Sequence, residues 1–102
     1  MNKFVRPFDI VKDIINSCNL DISYFYDDLI FSDHNIFILQ FDDRSPEVLN
    51  LYFNKECEFN TKISLKDNLY REAENRGMIM QDKGKFFLEE DQSKKEITIH
   101  YE

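Results

Sequence analysis

The residues of this chain that could do chemistry are two cysteines, two histidines and several carboxylates that stand close in sequence. Cys57 lies between Glu56 and Glu58. Neighbouring carboxylates disfavour the thiolate, the form a nucleophile needs. Cys18 closes an apolar stripe and is read as core. His34 follows Asp33, a spacing in which a carboxylate could orient an imidazole base, but no serine or cysteine partner can be assigned to it from spacing. The triplet Asp33-His34-Asn35 reads more simply as a turn. His100 falls opposite Ile97, Ile99 and Tyr101 in an alternating segment, so solvent is its expected surrounding.

Metal and phosphate chemistry find no better footing. Two histidines and two cysteines without C-x-x-C or H-x-x-x-H spacing make no zinc signature. Asp27, Asp28 and Asp33 lack the glycine and final glutamate of an EF-hand loop. Asp42 and Asp43 are adjacent carboxylates of the kind a glycosidase uses, without the surrounding pattern. There is no G-x-S-x-G, and with only two glycines a loop that cradles phosphate by close backbone approach is not expected. The chain therefore reads as non-enzymatic, with no catalytic residue, cofactor or metal ligand assigned. A small enzyme or ligand-binding domain, with a pocket lined by His34 or His100, is the weaker reading.

Charge is more informative. The formal net charge is −7. From Asp13 to Asp43 there are seven acids (Asp13, Asp21, Asp27, Asp28, Asp33, Asp42 and Asp43) and no lysine or arginine. The rest of the chain balances at thirteen acids and thirteen bases. Acidic turns also keep small proteins soluble, which is the plain reading. The functional reading is a negative patch for a basic protein partner, formed by Asp21, Asp27, Asp28, Asp33, Asp42 and Asp43, with Tyr24, Phe25 and Tyr26 supplying contact area. Aromatic residues rimmed by charge suit an interface with an apolar centre. Direct nucleic-acid binding is not expected, because phosphate contacts need a basic footprint. Carboxylates could instead occupy the place of phosphates in a partner's groove. That is the logic of an immunity protein or a phage-type, anti-defence inhibitor of a nucleic-acid-handling enzyme.

Local patterns set the elements that must position these groups. Val11, Ile14, Ile15 and Cys18 repeat at helical spacing, and Pro7 suits a first helical turn, so a helix is expected from about Pro7 to Cys18. In residues 19–28, Ile22, Tyr24 and Tyr26 alternate with Asp21, Ser23 and Phe25, which permits a short strand or an irregular turn. Leu29 to Ser32 reads as a short strand. Ile36 to Phe41 is apolar on both faces, as in a central strand covered at least in part on both sides. Val48 to Phe53 pairs with it as an antiparallel hairpin.

Ser64 and Asp67 are spaced as a capping box opening a second helix with Leu65, Leu69 and Ala73 buried. Asp67–Arg71 and Glu72–Arg76 are then exposed pairs, and Gly77 is the C-terminal cap. Met78 to Gln81 and Lys85 to Glu89 read as a hairpin turning at Asp82-Lys83-Gly84. Ile97 to Tyr101 forms a last strand with one buried face.

The expectation is one small α+β domain over residues 1–102. It has an antiparallel sheet of about five to six strands and two helices, ordered helix, two or three strands, helix, three strands. This alternation, with the acidity, is similar to that of the small acidic chaperones of type III secretion, whose last helix has no counterpart here. A secretion-type chaperone or accessory subunit is therefore the alternative function. No apolar run approaches the roughly 20 residues of a membrane span, and the opening MNKFVRPFDI lacks the apolar stretch of a secretory leader. Two cysteines and a start at Met1 suggest a reduced, cytoplasmic setting. Monomer and homodimer, the latter through an exposed strand edge, both remain open.

Overall fold

A computed structural model describes residues 7–102. The first six residues, which carry part of the leader argument, lie outside them. Helix α1 (Phe8–Ser17) is followed by strands β1 (Ile22–Tyr26), β2 (Leu29–Ser32), β3 (Phe37–Phe41) and β4 (Val48–Asn54). Helix α2 (Phe59–Asn75) then leads into β5 (Ile79–Asp91) and β6 (Glu96–Tyr101). The six strands lie side by side in chain order. All neighbours are antiparallel except β4 and β5, which run parallel because α2 carries the chain back along the sheet. The α+β class, the two helices and the mostly antiparallel sheet agree with the expectation.

Both helices cover one face. Val11, Ile14 and Ile15 of α1 and Leu69 and Ala73 of α2 are fully buried against Ile30, Phe37, Leu39, Phe41, Leu49, Leu51 and Phe53. Each helix end is closed by a left-handed residue, at α2 the glycine that the sequence suggests. Gly77 (φ 76) lets its own N–H reach the Glu74 carbonyl and the Met78 N–H reach that of Ala73. Asn19 (φ 63) does the same work after α1, where the Leu20 N–H reaches the carbonyl of Ile15. Both pairs of α2 form, Arg71 to Asp67 exposed at 3.3 Å and Arg76 to Glu72 partly buried rather than exposed.

Three local readings are corrected. The capping box at Ser64 does not open α2, which starts at Phe59 with Glu58 at its N-cap and no side-chain cap bond. The start is set upstream by Asn54, whose side chain accepts the Glu56 N–H at 2.8 Å and whose carbonyl accepts that of Cys57 at 2.9 Å. This turn ends β4 and launches the crossover at once. Second, Met78 to Glu89 is not a hairpin: from Ile79 on it is part of one strand of 13 residues. The Asp82-Lys83-Gly84 turn chemistry makes a β-bulge instead: Leu51 pairs with Asp82 and Tyr52 with Gly84, leaving Lys83 extra. Third, β6 buries no complete face, with Ile97 64% and Tyr101 46% exposed. It is the margin of the sheet and pairs with β5 from Phe86 to Asp91, beyond most of the stretch that β4 contacts.

The bulge has a consequence for every residue after it. Side chains alternate faces along a strand, so one extra residue exchanges the two sets. Met80 packs under the helices, whereas Phe86, also even-numbered, is fully buried on the opposite face. A second bulge, between Ile22 and Tyr24 of β1, acts in the same way. Ile22 packs with the helix-side core, and the tyrosines that alternate with it in sequence turn the other way.

Candidate functional site

The helix-free face of the sheet carries an apolar cluster made of strand residues only. Leu29, Phe31, Ile38 and Phe86 form its buried centre, with Tyr52, Leu88 and Ile99 packed around them. Burial here comes from aromatic rings lying along the sheet. Tyr24 stands edge-on to Phe31 at 5.7 Å between centroids and stacks on Tyr26 at 6.4 Å. Tyr52 and Tyr101 approach to 4.6 Å between centroids. The outer rings remain open to solvent, Tyr24 at 57% and Tyr26 at 62%.

The topology places acids at one end of this face. The β1–β2 turn holds Asp27 and Asp28, and the β3–β4 loop holds Asp42 and Asp43. The two meet where the Phe41 N–H donates to the Asp28 carbonyl at 3.0 Å and Gln40 Nε2 to the Asp28 carboxylate at 3.1 Å. Asp28 also bears on the aromatic face. Burial first, and then the Asp28 charge, raise the Tyr52 phenol above its ordinary pKa. Tyr101 is raised by burial, by Tyr52 and by Asp28.

Asp42 has a local duty: its carboxylate accepts the N–H groups of Arg44 at 3.0 Å and Ser45 at 3.2 Å, closing the loop. The Arg44 N–H holds its carboxyl below the ordinary range, with the amide of Asn50 and the Ser45 N–H adding to the effect. Beside this loop lies a hollow of about 490 Å³, lined by Gln40, Asp42, Asp43, Arg44, Asn50 and Lys83 among others. Asn50 Oδ1 is buried there without a hydrogen-bond partner among the described residues. Arg44 and Lys83 offset the two carboxylates of the hollow, so its lining is nearly neutral.

The nine residues proposed from sequence therefore divide. Tyr24, Tyr26, Asp27, Asp28, Asp42 and Asp43 share the open face or its acidic end. Phe25 does not: it points under the sheet and meets Phe8 of α1 edge-on at 4.9 Å. Asp21 and Asp33 lie at the opposite end of β1 and β2. There the Asp21 N–H donates to the Asp33 carboxylate at 3.0 Å and the Asp33 N–H to the Asp21 carbonyl at 2.9 Å. Sequence reasoning missed Tyr52, Tyr101 and the buried centre beneath them. The signal was the two-sided apolar character of residues 36–41, which requires cover on the second face.

The groups weighed for catalysis do not assemble an activated site. His34 and Cys57 line one shallow hollow of about 300 Å³. The Cys57 thiol donates to the Glu58 carbonyl oxygen at 3.6 Å, and burial raises its pKa, which disfavours the nucleophilic thiolate. His100 is half-exposed, stacks on Phe87 at 4.7 Å and bonds to Glu89 at 2.8 Å. Among the described residues, no group of three His, Cys, Asp or Glu side chains is placed to hold a metal ion. No helix among them is long and apolar enough to cross a membrane. The chain matches no family model, and no curated protein or solved structure resembles it at a significant level.

Proposed function

We propose that the chain is a non-enzymatic acidic interaction protein that covers a basic surface on a protein partner, in the manner of an immunity protein or an inhibitor of a nucleic-acid-handling enzyme. The observation that carries this reading is a helix-free sheet face whose aromatic centre adjoins Asp27 and Asp28 at one end, with Asp42 and Asp43 beside them partly offset by Arg44 and Lys83. An apolar centre with exposed tyrosines gives contact area at low entropic cost, and carboxylates at the margin steer a cationic surface onto it. Tyr24 and Tyr26 are the contact residues, and Asp27 and Asp43 the steering charges; Asp27 also holds a left-handed turn position at φ 57, which asparagine can keep. Asp28 and Asp42 are less suitable for reversal, since they bond Gln40 and the Arg44–Ser45 backbone.

The test is affinity capture from a host lysate at low and high salt, with mass spectrometry of what is retained. The parent should hold a basic protein at low salt only. A Tyr24→Ser, Tyr26→Ser, Asp27→Asn, Asp43→Lys variant should lose it while still unfolding cooperatively. A partner that is retained by this variant, or that binds equally well in high salt, would sink the proposal.

A further inference from the structure

The two margins of the sheet differ. β1 is blunted by its bulge, where Ser23 Oγ turns in to the Ser32 carbonyl at 2.9 Å. β6 is regular over its whole pairing with β5. Lys85 and Glu102 exchange both backbone bonds, at 3.3 and 2.8 Å. In an antiparallel ladder the bonded pairs alternate. Thr98 and His100 therefore point their backbone groups inward to β5, and Ile97 and Ile99 point theirs outward. The outward N–H and C=O groups belong to a strand whose side chains include an isoleucine that is 64% exposed, Ile97.

We infer that β6 pairs antiparallel with β6 of a second copy of this chain, about a two-fold axis at Thr98, joining two sheets edge to edge. The register follows from charge. With Thr98 opposite Thr98, Ile97 faces Ile99 and Glu96 faces His100, so the strand is complementary to itself. The outward groups of Ile97 and Ile99 then make four backbone bonds across the axis. Shifting the axis to Ile99 sets Glu96 against Glu102, two like charges. Shifting it to Ile97 sets Ile99 against Lys95, which has turned out of the strand at φ 55. Of these three axes, the one at Thr98 alone satisfies both backbone and side chains. Such a contact is isologous and closed, so it stops at two copies. The acidic turns join β1 to β2 and β3 to β4, while β6 is the far margin of the sheet. β6 also lends Ile99 and Tyr101 to the open face, but the pairing uses the strand's outward backbone groups and does not require the acidic turns.

Sedimentation velocity over about a hundredfold range of concentration reads the association directly. The mass should rise from 12.3 kDa toward twice that value in the parent chain and remain at one chain in Ile97→Lys. Because Ile97 is exposed, the melting temperature of that variant in dilute solution should match the parent's. A second variant, Thr98→Cys, reads the register and does not depend on Ile97→Lys folding. Facing residues at a non-bonded antiparallel pair are close enough for a disulfide. Oxidation should link two copies through position 98, as mapped by peptide mass, with the parent chain and its Cys18 and Cys57 as the blank. A parent that stays monomeric throughout overturns the inference. So does a dimer indifferent to Ile97→Lys, or one that Thr98→Cys fails to cross-link.

Discussion

Replacing Gly84 by alanine should be among the most damaging single-methyl additions the fold can suffer. Gly84 follows the extra residue of the β5 bulge, and its N–H donates to Asp82 Oδ1 at 3.0 Å. Its φ is +128, a conformation that side chains rarely adopt, and holding alanine there costs roughly 1–3 kcal/mol. An added Cβ would also lie 2.5 Å from the carbonyl oxygen of Glu102. That oxygen accepts the Lys85 N–H, so relieving the clash displaces the end of β6 and gives up a backbone bond worth about 1 kcal/mol. The two contributions together come to about 2–4 kcal/mol. For a domain of this size that lowers the melting temperature by about 10–20 °C.

Gly77→Ala is the internal control. Its φ of +76 lies near the left-handed well, at the low end of that strain, and nothing lies within 4 Å of the added Cβ. It should cost about 1 kcal/mol, or about 5 °C. Thermal unfolding followed by far-UV circular dichroism measures both. Equal losses in the two variants, or a Gly84→Ala melting temperature within about 2 °C of the parent, would refute the bulge geometry.

Two further predictions test other parts of the fold. Ser32 is fully buried, and its Oγ accepts the Phe37 N–H at 3.1 Å, so Ser32→Ala should cost about 1–3 kcal/mol in urea denaturation by leaving that donor unpaired. Lys66 Nζ lies 2.8 Å from the Asp82 carboxylate. The bond to Asp82 raises the lysine above its ordinary 10.5. For Asp82 burial pushes upward, but Lys66 and the Gly84 N–H outweigh it and leave the carboxyl below 3.8. The stabilisation is therefore present between about pH 4 and pH 10, and is lost in acid as Asp82 protonates and in base as Lys66 deprotonates. The pair is partly exposed, so Lys66→Met should cost under about 1 kcal/mol at neutral pH, with the difference vanishing below the Asp82 transition. A Lys66→Met deficit that persists undiminished in strong acid would show that lost packing, not charge, is responsible.

Much of the local structure was legible because it rests on near neighbours in the chain. The stripe Val11, Ile14, Ile15, the left-handed cap at Gly77, the β3–β4 hairpin and the pairs of α2 each depend on residues a turn apart. The composition also localised the acids to residues 13–43. It could not say which of them share a surface, because Asp21 and Asp33 differ from Asp27 and Asp28 only in the end of the strand they occupy.

What the tertiary structure decided was the facing of side chains. Simple alternation in 22–26 groups Ile22 with Tyr24 and Tyr26, yet the bulge in β1 sends Ile22 to the helices and the tyrosines to the open face. Asp82-Lys83-Gly84 has the composition of a hairpin turn, and nothing nearby in sequence forbids one. Its conversion to a bulge follows from pairing with β4, a strand about thirty residues earlier, and from the need to bury Met80 and Phe86 on opposite faces. The same pairing brings Tyr52 and Tyr101 together, nearly half the chain apart. A period of two is written in the sequence. Where that period slips by one residue is set by long-range partners, and those two slips determine which residues the open face presents.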